Sequence, residues 1–131
     1  MNQANKPPVS DTTLPSPVVE QDGDSVILSF DEVSVQSRMR LDDPTALDLD
    51  YSRVMMAFLL IQPQPASILM IGLGGGSLAK YCHRHLPQAR ITVVEINPEV
   101  MAARETFQVP ADGELFSVVQ GDGAAFLATT P

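Results

Sequence analysis

Three times along this chain an apolar run ends in glycine or an acidic residue and passes at once into a helix-like stretch. The three are ILMIGLGGGSLAKY (residues 68–81), ITVVEINPEV (91–100) and VVQGDGAAFL (118–127). Runs this apolar suit strands buried on both faces, and strands alternating with helices build a parallel sheet covered on both sides. The fold class is α/β. The pattern predicts strands over 67–72, 90–95 and 116–120, and helices over about 75–85 and 98–107, with a short one from Ala124. Pro98 suits a first helical turn and Asn97 its N-cap, which marks the second strand-to-helix junction. Right-handed crossovers place the three strands in the order 3-2-1, with the glycine-turn strand at one edge. Ile68 to Ile71 are apolar on both faces, as in a central strand, so a fourth strand is expected beyond Pro131 to pair with that edge.

Ahead of this repeat the chain reads differently. Residues 1–20 hold Pro7, Pro8, Pro15 and Pro17 among small polar residues, a composition that buries too little apolar surface to offset its ordering entropy. They are expected to form a disordered tail. Residues 21–50 are expected to hold a β-hairpin, over 25–30 and 32–39 after the Asp22-Gly23 turn, and a polar connector around Pro44. In 51–60, Val54, Met55, Phe58 and Leu59 recur at helical spacing until Pro63 and Pro65 stop the pattern, which predicts an amphipathic helix opening a main domain over 51–131.

The net charge of −8 is concentrated in the first 50 residues, which hold ten acidic side chains against Lys6, Arg38 and Arg40. No basic stripe of the kind that neutralises phosphates is present, so nucleic acid is not an expected partner. No stretch approaches the roughly 20 apolar residues of a membrane span, and the N-terminus has no signal-like apolar core. A cytoplasmic location is expected, and the single cysteine, Cys82, suits a reducing compartment. Cys82-His83-Arg84-His85 is short of metal ligands, because the chain has no third histidine and no second thiol. No metal is expected.

Gly72, Gly74, Gly75 and Gly76 lie between strand and helix, where missing side chains allow a tight turn and a close ligand approach. Tight helix-to-strand packing demands glycine as well. Glu95 closes the second strand 23 residues after Gly72, a spacing at which a carboxylate accepts from both hydroxyls of a ribose. Asp122, after the third strand, stands at the same end of the sheet, where it could accept from an adenine amino group or merely cap a helix. Glycines and two acids on successive strand ends describe a nucleoside site. The dinucleotide fingerprint G-x-G-x-x-G needs glycine at position 77, and Ser77 stands there. This favours an adenosyl sulfonium, without a pyrophosphate, over NAD.

Val35-Gln36-Ser37, Tyr51, ILMIGLGGGSLAKYCHRHLP, ITVVEINPEV and VVQGDGAAFL together resemble the spermidine synthase (polyamine aminopropyltransferase) family, in particular its bacterial spermidine-synthase-like members. The resemblance covers nearly everything from Val35 onward. It implies a small N-terminal β domain ahead of an S-adenosylmethionine-dependent methyltransferase-like Rossmann domain. It also implies aminopropyl transfer from decarboxylated S-adenosylmethionine to putrescine, with release of methylthioadenosine. Gln36 would contact the nucleoside, Glu95 the ribose, Asp122 with Gly123 the adenine, and Tyr51 the substrate. Members of the family are commonly dimers or tetramers, so a homo-oligomer is expected.

The departures are specific. Typical members carry an aspartate in the glycine turn that binds the amine of the transferred chain, and here Gly75 occupies that place. Tyr-His-Glu becomes Tyr51-Ser52-Arg53, and Arg53 would repel a polyamine if it faced the pocket. The family's catalytic aspartate follows a fourth strand, so catalytic residues are expected beyond Pro131 and the 131-residue chain alone is expected to be inactive. Two other readings stay open: a methyltransferase using ordinary S-adenosylmethionine, and a non-catalytic nucleoside-binding remnant.

Overall fold

The computed structural model describes residues 14–31 and 34–129. Two three-stranded sheets organise them. The first is antiparallel, β1 (Val18–Asp22), β2 (Ser25–Ser29) and β3 (Val35–Arg40), in that spatial order. Gly23, at φ +60°, makes the turn between β1 and β2. The second is parallel, β4 (Ser67–Ile71), β5 (Arg90–Glu95) and β6 (Phe116–Gln120). Ile68 is level with Ile91 and Ile91 with Phe116, so the three strands end together.

Helix α2 (Ser77–His85) connects β4 to β5, α3 (Pro98–Ala102) starts the return from β5 to β6, and α4 (Gly123–Thr129) follows β6. Between the sheets lie α1 (Asp50–Met55) and a 3₁₀ stretch, Met56–Leu60. Strand β5 is central, and its Ile91, Val93 and Val94 are almost wholly buried. Ile91 and Val93 share one core with Cys82 and Ala79 of α2, Val100 of α3, Phe116 and Val118 of β6, and Val26, Leu28 and Met39 of the small sheet. Burial in that core drives the two sheets together, since each has one apolar face to cover.

Four expectations are corrected. The hairpin is a three-stranded sheet, and its extra strand, β1, takes in residues 18–20 of the expected tail. Every residue of VVEQD is exposed, so no burial pattern marks it, and pairing with β2 alone makes it a strand. Residues 1–13 of that tail lie outside the described residues.

The helix expected over 51–60 tightens into a 3₁₀ stretch at Met56. Its apolar stripe does not all turn inward: Val54 is 72% exposed and Met55 56%, while Ser52 is buried with its hydroxyl donating to the Leu49 carbonyl. Finally, α3 ends at Ala102 rather than near 107. The next N–H groups reach back only three residues, Ala103 to Val100 and Arg104 to Met101, and the chain turns through Gln108 at φ 55° before Pro110.

Strand β4 does lie at the sheet edge, hydrogen-bonded only to β5 among the described residues. Its Leu69 and Ile71 are 38% and 55% exposed. A groove of about 460 Å³ runs along it, lined by Met55, Met56, Phe58 and Leu78 besides the strand itself. No helix among the described residues is long and apolar enough to cross a membrane.

Candidate functional site

Two adjoining clefts lie at the carboxyl ends of β4, β5 and β6, and the small sheet walls the first of them. One, about 310 Å³, is lined by Phe30, Gln36, Ser37 and Tyr51 on one side and by residues of the glycine turn, the start of α2 and Glu95 on the other. The second, about 300 Å³, lies over Gly121, Asp122 and Gly123. The two share Ile71, Gly72 and Glu95. Gln36, Tyr51, Gly72, Gly74 and Glu95 therefore come together in the first cleft, and Asp122 and Gly123 join Gly72 and Glu95 in the second.

Glu95 stands at the junction and is 8% exposed. Its Oε1 accepts from the Leu73 N–H at 2.9 Å and its Oε2 from the Asn97 N–H at 2.9 Å. One carboxylate thus ties the glycine turn to the exit of β5. A carboxylate offers about four acceptor positions, so two remain for a ligand after these bonds.

The four glycines divide by what surrounds them. A Cβ on Gly72 would meet nothing within 4 Å, and its φ of +94° is one that side chains rarely adopt. This glycine leaves the backbone open to both clefts. The other three are packed. A Cβ on Gly74 would lie 2.9 Å from Ser37 Oγ, one on Gly75 2.7 Å from Ser37 Cβ and 2.9 Å from the Phe107 ring, and one on Gly76 2.6 Å from Val109. Gly75 and Gly76 sit behind the cleft, not on it. The Gly75 N–H donates to Ser37 Oγ at 2.8 Å, so strand β3 is fastened directly to the turn.

Phe107 and Val109 are held there by the loop after α3. Lys80, 3% exposed on α2, donates from Nζ to the Phe107 carbonyl at 2.8 Å, and burial pushes its ammonium down to about 8. Asp112 accepts from the Val118 N–H and from Arg104, and the two together hold its carboxyl below the usual range.

Asp122 is exposed, and its Oδ1 accepts from the N–H groups of Ala124 at 2.8 Å and Ala125 at 3.2 Å. It is a helix cap at the margin of the second cleft. The Tyr51 hydroxyl donates to the Gln36 carbonyl, which closes one wall of the first cleft. Arg53 does not line either cleft. It donates to the Leu47 carbonyl at 2.8 Å and pairs with Asp50 at 3.6 Å.

Cys82 is fully buried beside Met56, with its thiol pushed up to about 11 by burial, whereas His83 and His85 are exposed. Those three side chains do not converge. Among the described residues no group of three metal-ligating side chains converges anywhere.

Two contacts at this site carried no signal in the sequence. Ser37 meets Gly75 across 38 residues of chain. Asn97, readable as a cap, also reaches the Pro15 carbonyl through its side-chain amide at 2.7 Å.

No protein-family model matches the chain. Among curated proteins it is 44% identical over 115 residues to a polyamine aminopropyltransferase of Chromobacterium violaceum, a match that takes in 87% of this chain and 44% of that protein. The chain therefore spans less than half the length of this relative. Among solved structures, a probable spermidine synthase from Corynebacterium glutamicum superposes with a TM-score of 0.68 over 86% of this chain and 43% of that one, at 21% identity. Human methyltransferase-like protein 13, solved with SAH, gives 0.55 at 28% identity, over 62% of this chain and 40% of that one. The two structural likenesses give the parallel sheet and its helices a methyltransferase-like Rossmann fold. The likeness to the Chromobacterium protein runs through most of the chain, and by it the chain belongs to the polyamine aminopropyltransferase (spermidine synthase) family.

Proposed function

We propose that this chain forms the nucleoside-binding part of an aminopropyltransferase, holding decarboxylated S-adenosylmethionine before transfer and methylthioadenosine after it. The observation that carries the reading is Glu95, a buried carboxylate with two lone-pair positions left over at the junction of two clefts. The ribose diol would take those positions, the adenine the cleft over Asp122 and Gly123, and the sulfur substituent the cleft under Gln36 and Tyr51. Gly72 would lie under the nucleoside. Transfer would be a displacement in which a polyamine nitrogen forms a bond to the carbon on sulfur. The carbon–sulfur bond breaks, its electron pair stays on the thioether, and the amine loses a proton to a base. The protein's share is orientation and placement of charge.

A second reading, methyl transfer from ordinary S-adenosylmethionine, draws support from Gly75. An acid at that position would bind the amine of an aminopropyl chain, and a Cβ there meets Ser37 and Phe107 instead. Competition calorimetry on the chain, with methylthioadenosine displaced by each donor, separates the readings. Aminopropyl transfer expects the decarboxylated donor to compete at least as well as the carboxylated one. Displacement by the carboxylated donor alone moves the assignment to methyl transfer, and failure of every nucleoside to bind overturns both.

A further inference from the structure

We infer that Asn97 is a positioning residue for Glu95, and that the segment leading into β1 acts through it on the recognition of a ligand's diol. The inference rests on the reading of Glu95 as the diol-binding acid.

Asn97 is 6% exposed and spends all four of its polar groups. Its N–H donates to Glu95 Oε2 at 2.9 Å, and its carbonyl accepts from the Met101 N–H at 3.2 Å. Its side-chain Oδ1 accepts from the Glu99 N–H at 3.0 Å, capping α3, while Nδ2 donates to the Pro15 carbonyl at 2.7 Å. The peptide that directs Glu95 Oε2 therefore cannot turn without breaking a helix cap or the link to Pro15. With Oε1 fixed by Leu73, the two free acceptor positions of Glu95 point where these bonds aim them.

Pro15 and Pro17 stiffen the residues that present that carbonyl, because each ring fixes its own φ. Directly after them β1 pairs with β2, and β2 with β3, whose Ser37 is fastened to Gly75. The small sheet and the segment leading into it thus grip the site twice, the sheet at the glycine turn through Ser37 and the segment at the exit of β5 through the Pro15–Asn97 bond. A carboxylate aimed from both sides distinguishes a diol from its absence better than one free to swing away.

The test is made on the full chain with Asn97→Ser. Serine is as good an N-cap as asparagine, so α3 keeps its acceptor and only the donor to Pro15 is lost. Methylthioadenosine and its 2′,3′-dideoxy analogue are titrated calorimetrically. The unaltered chain is expected to prefer the diol by about 100-fold, the worth of two hydrogen bonds to a charged acceptor. In Asn97→Ser that ratio is expected to fall to about tenfold or less, with the affinity for the dideoxy analogue little changed. Pro15→Gly, which leaves Asn97 in place and loosens the carbonyl, is expected to lower the ratio by a smaller factor. It also decides the matter if Asn97→Ser does not fold.

A merely structural role would weaken both ligands alike, so a ratio unchanged in both variants overturns the coupling while leaving the reading of Glu95 intact. An unaltered chain that fails to distinguish the two ligands overturns the reading of Glu95 and the inference with it.

Discussion

Glu95 and Asp122 close neighbouring strands at the same end of one sheet, yet only Glu95 is tied to an element other than its own. Glu95 is buried and binds the N–H groups of two separate loops, 22 residues away at Leu73 and two away at Asn97. Asp122 is exposed and uses one oxygen on the first turn of the helix that follows it. Around Glu95 the small sheet, α2 and the loop after α3 all converge through Ser37, Lys80 and Phe107. Two acids that look equivalent in the sequence therefore differ in kind. One belongs to the scaffold and is aimed before any ligand arrives, and the other is a local cap whose placement follows its helix.

Removing Glu95 should break this corner most severely. Glu95→Ala strands two buried N–H groups, at about 1–3 kcal/mol each, so a loss of about 2–6 kcal/mol is expected in urea unfolding. Methylthioadenosine binding, read by calorimetry on whatever remains folded, should fall by about 100-fold. A variant as stable as the parent would show that the two loops are held together by something other than this carboxylate.

Much of this architecture could be read from the sequence, and the failures have physical causes. The runs RITVVE and FSVVQ give the observed bounds of β5 and β6, because an apolar stretch bounded by turns admits little else. The edge position of β4 followed from crossover handedness. Strand β1 was missed because it buries nothing, and the end of α3 because its apolar residues keep helical spacing into a turn. The four glycines were legible as a turn, but not their division into one open position and three crowded ones. That depends on Ser37, Phe107 and Val109, which no local pattern brings near them.

The second largest effect is expected from pH. With its ammonium lowered from 10.5 to about 8 by burial, Lys80 is charged in both folded and unfolded chains at neutral pH, and the cost of burying that charge is then fully present. Between about 8 and 10.5 the folded chain has released the proton and the unfolded chain has not, so stability rises with pH across that window, by up to about 3 kcal/mol. Lys80→Met removes the titrating group, and its stability relative to the parent should fall as pH climbs from 8 to 10.5. Parallel curves would mean that the ammonium is better solvated than its surroundings imply.

A paired substitution compares the corners at smaller cost. Gly75→Ala forces a methyl against Ser37 Cβ and the Phe107 ring, both buried, and is expected to destabilise by about 1–3 kcal/mol. Gly123→Ala meets an even closer atom, Ile71 Cγ2, but that side chain lies half-exposed at the sheet edge and has room to rotate. The closer contact should therefore cost less in thermal unfolding. The reverse order would show that the β6–α4 turn is as rigid as the glycine turn.

Asp122→Ala is the mildest change and the one that separates the two acids most directly. It removes the acceptor for Ala124 and Ala125, and the loss of such a cap is worth about 1 kcal/mol. Because α4 lies at the surface with no buried residue, that loss should fray the helix without moving the Glu95 corner. Nucleoside affinity should drop by about tenfold at most, the worth of one hydrogen bond to adenine, and the diol preference should be unchanged. A companion variant, Asp122→Asn, keeps the cap but trades a carboxylate oxygen for an amide that donates. If Asp122→Asn binds like the parent while Asp122→Ala binds tenfold more weakly, Asp122 serves the ligand through its helix alone. If both weaken equally, the carboxylate itself meets the base, and the exposed acid is as much part of the site as the buried one.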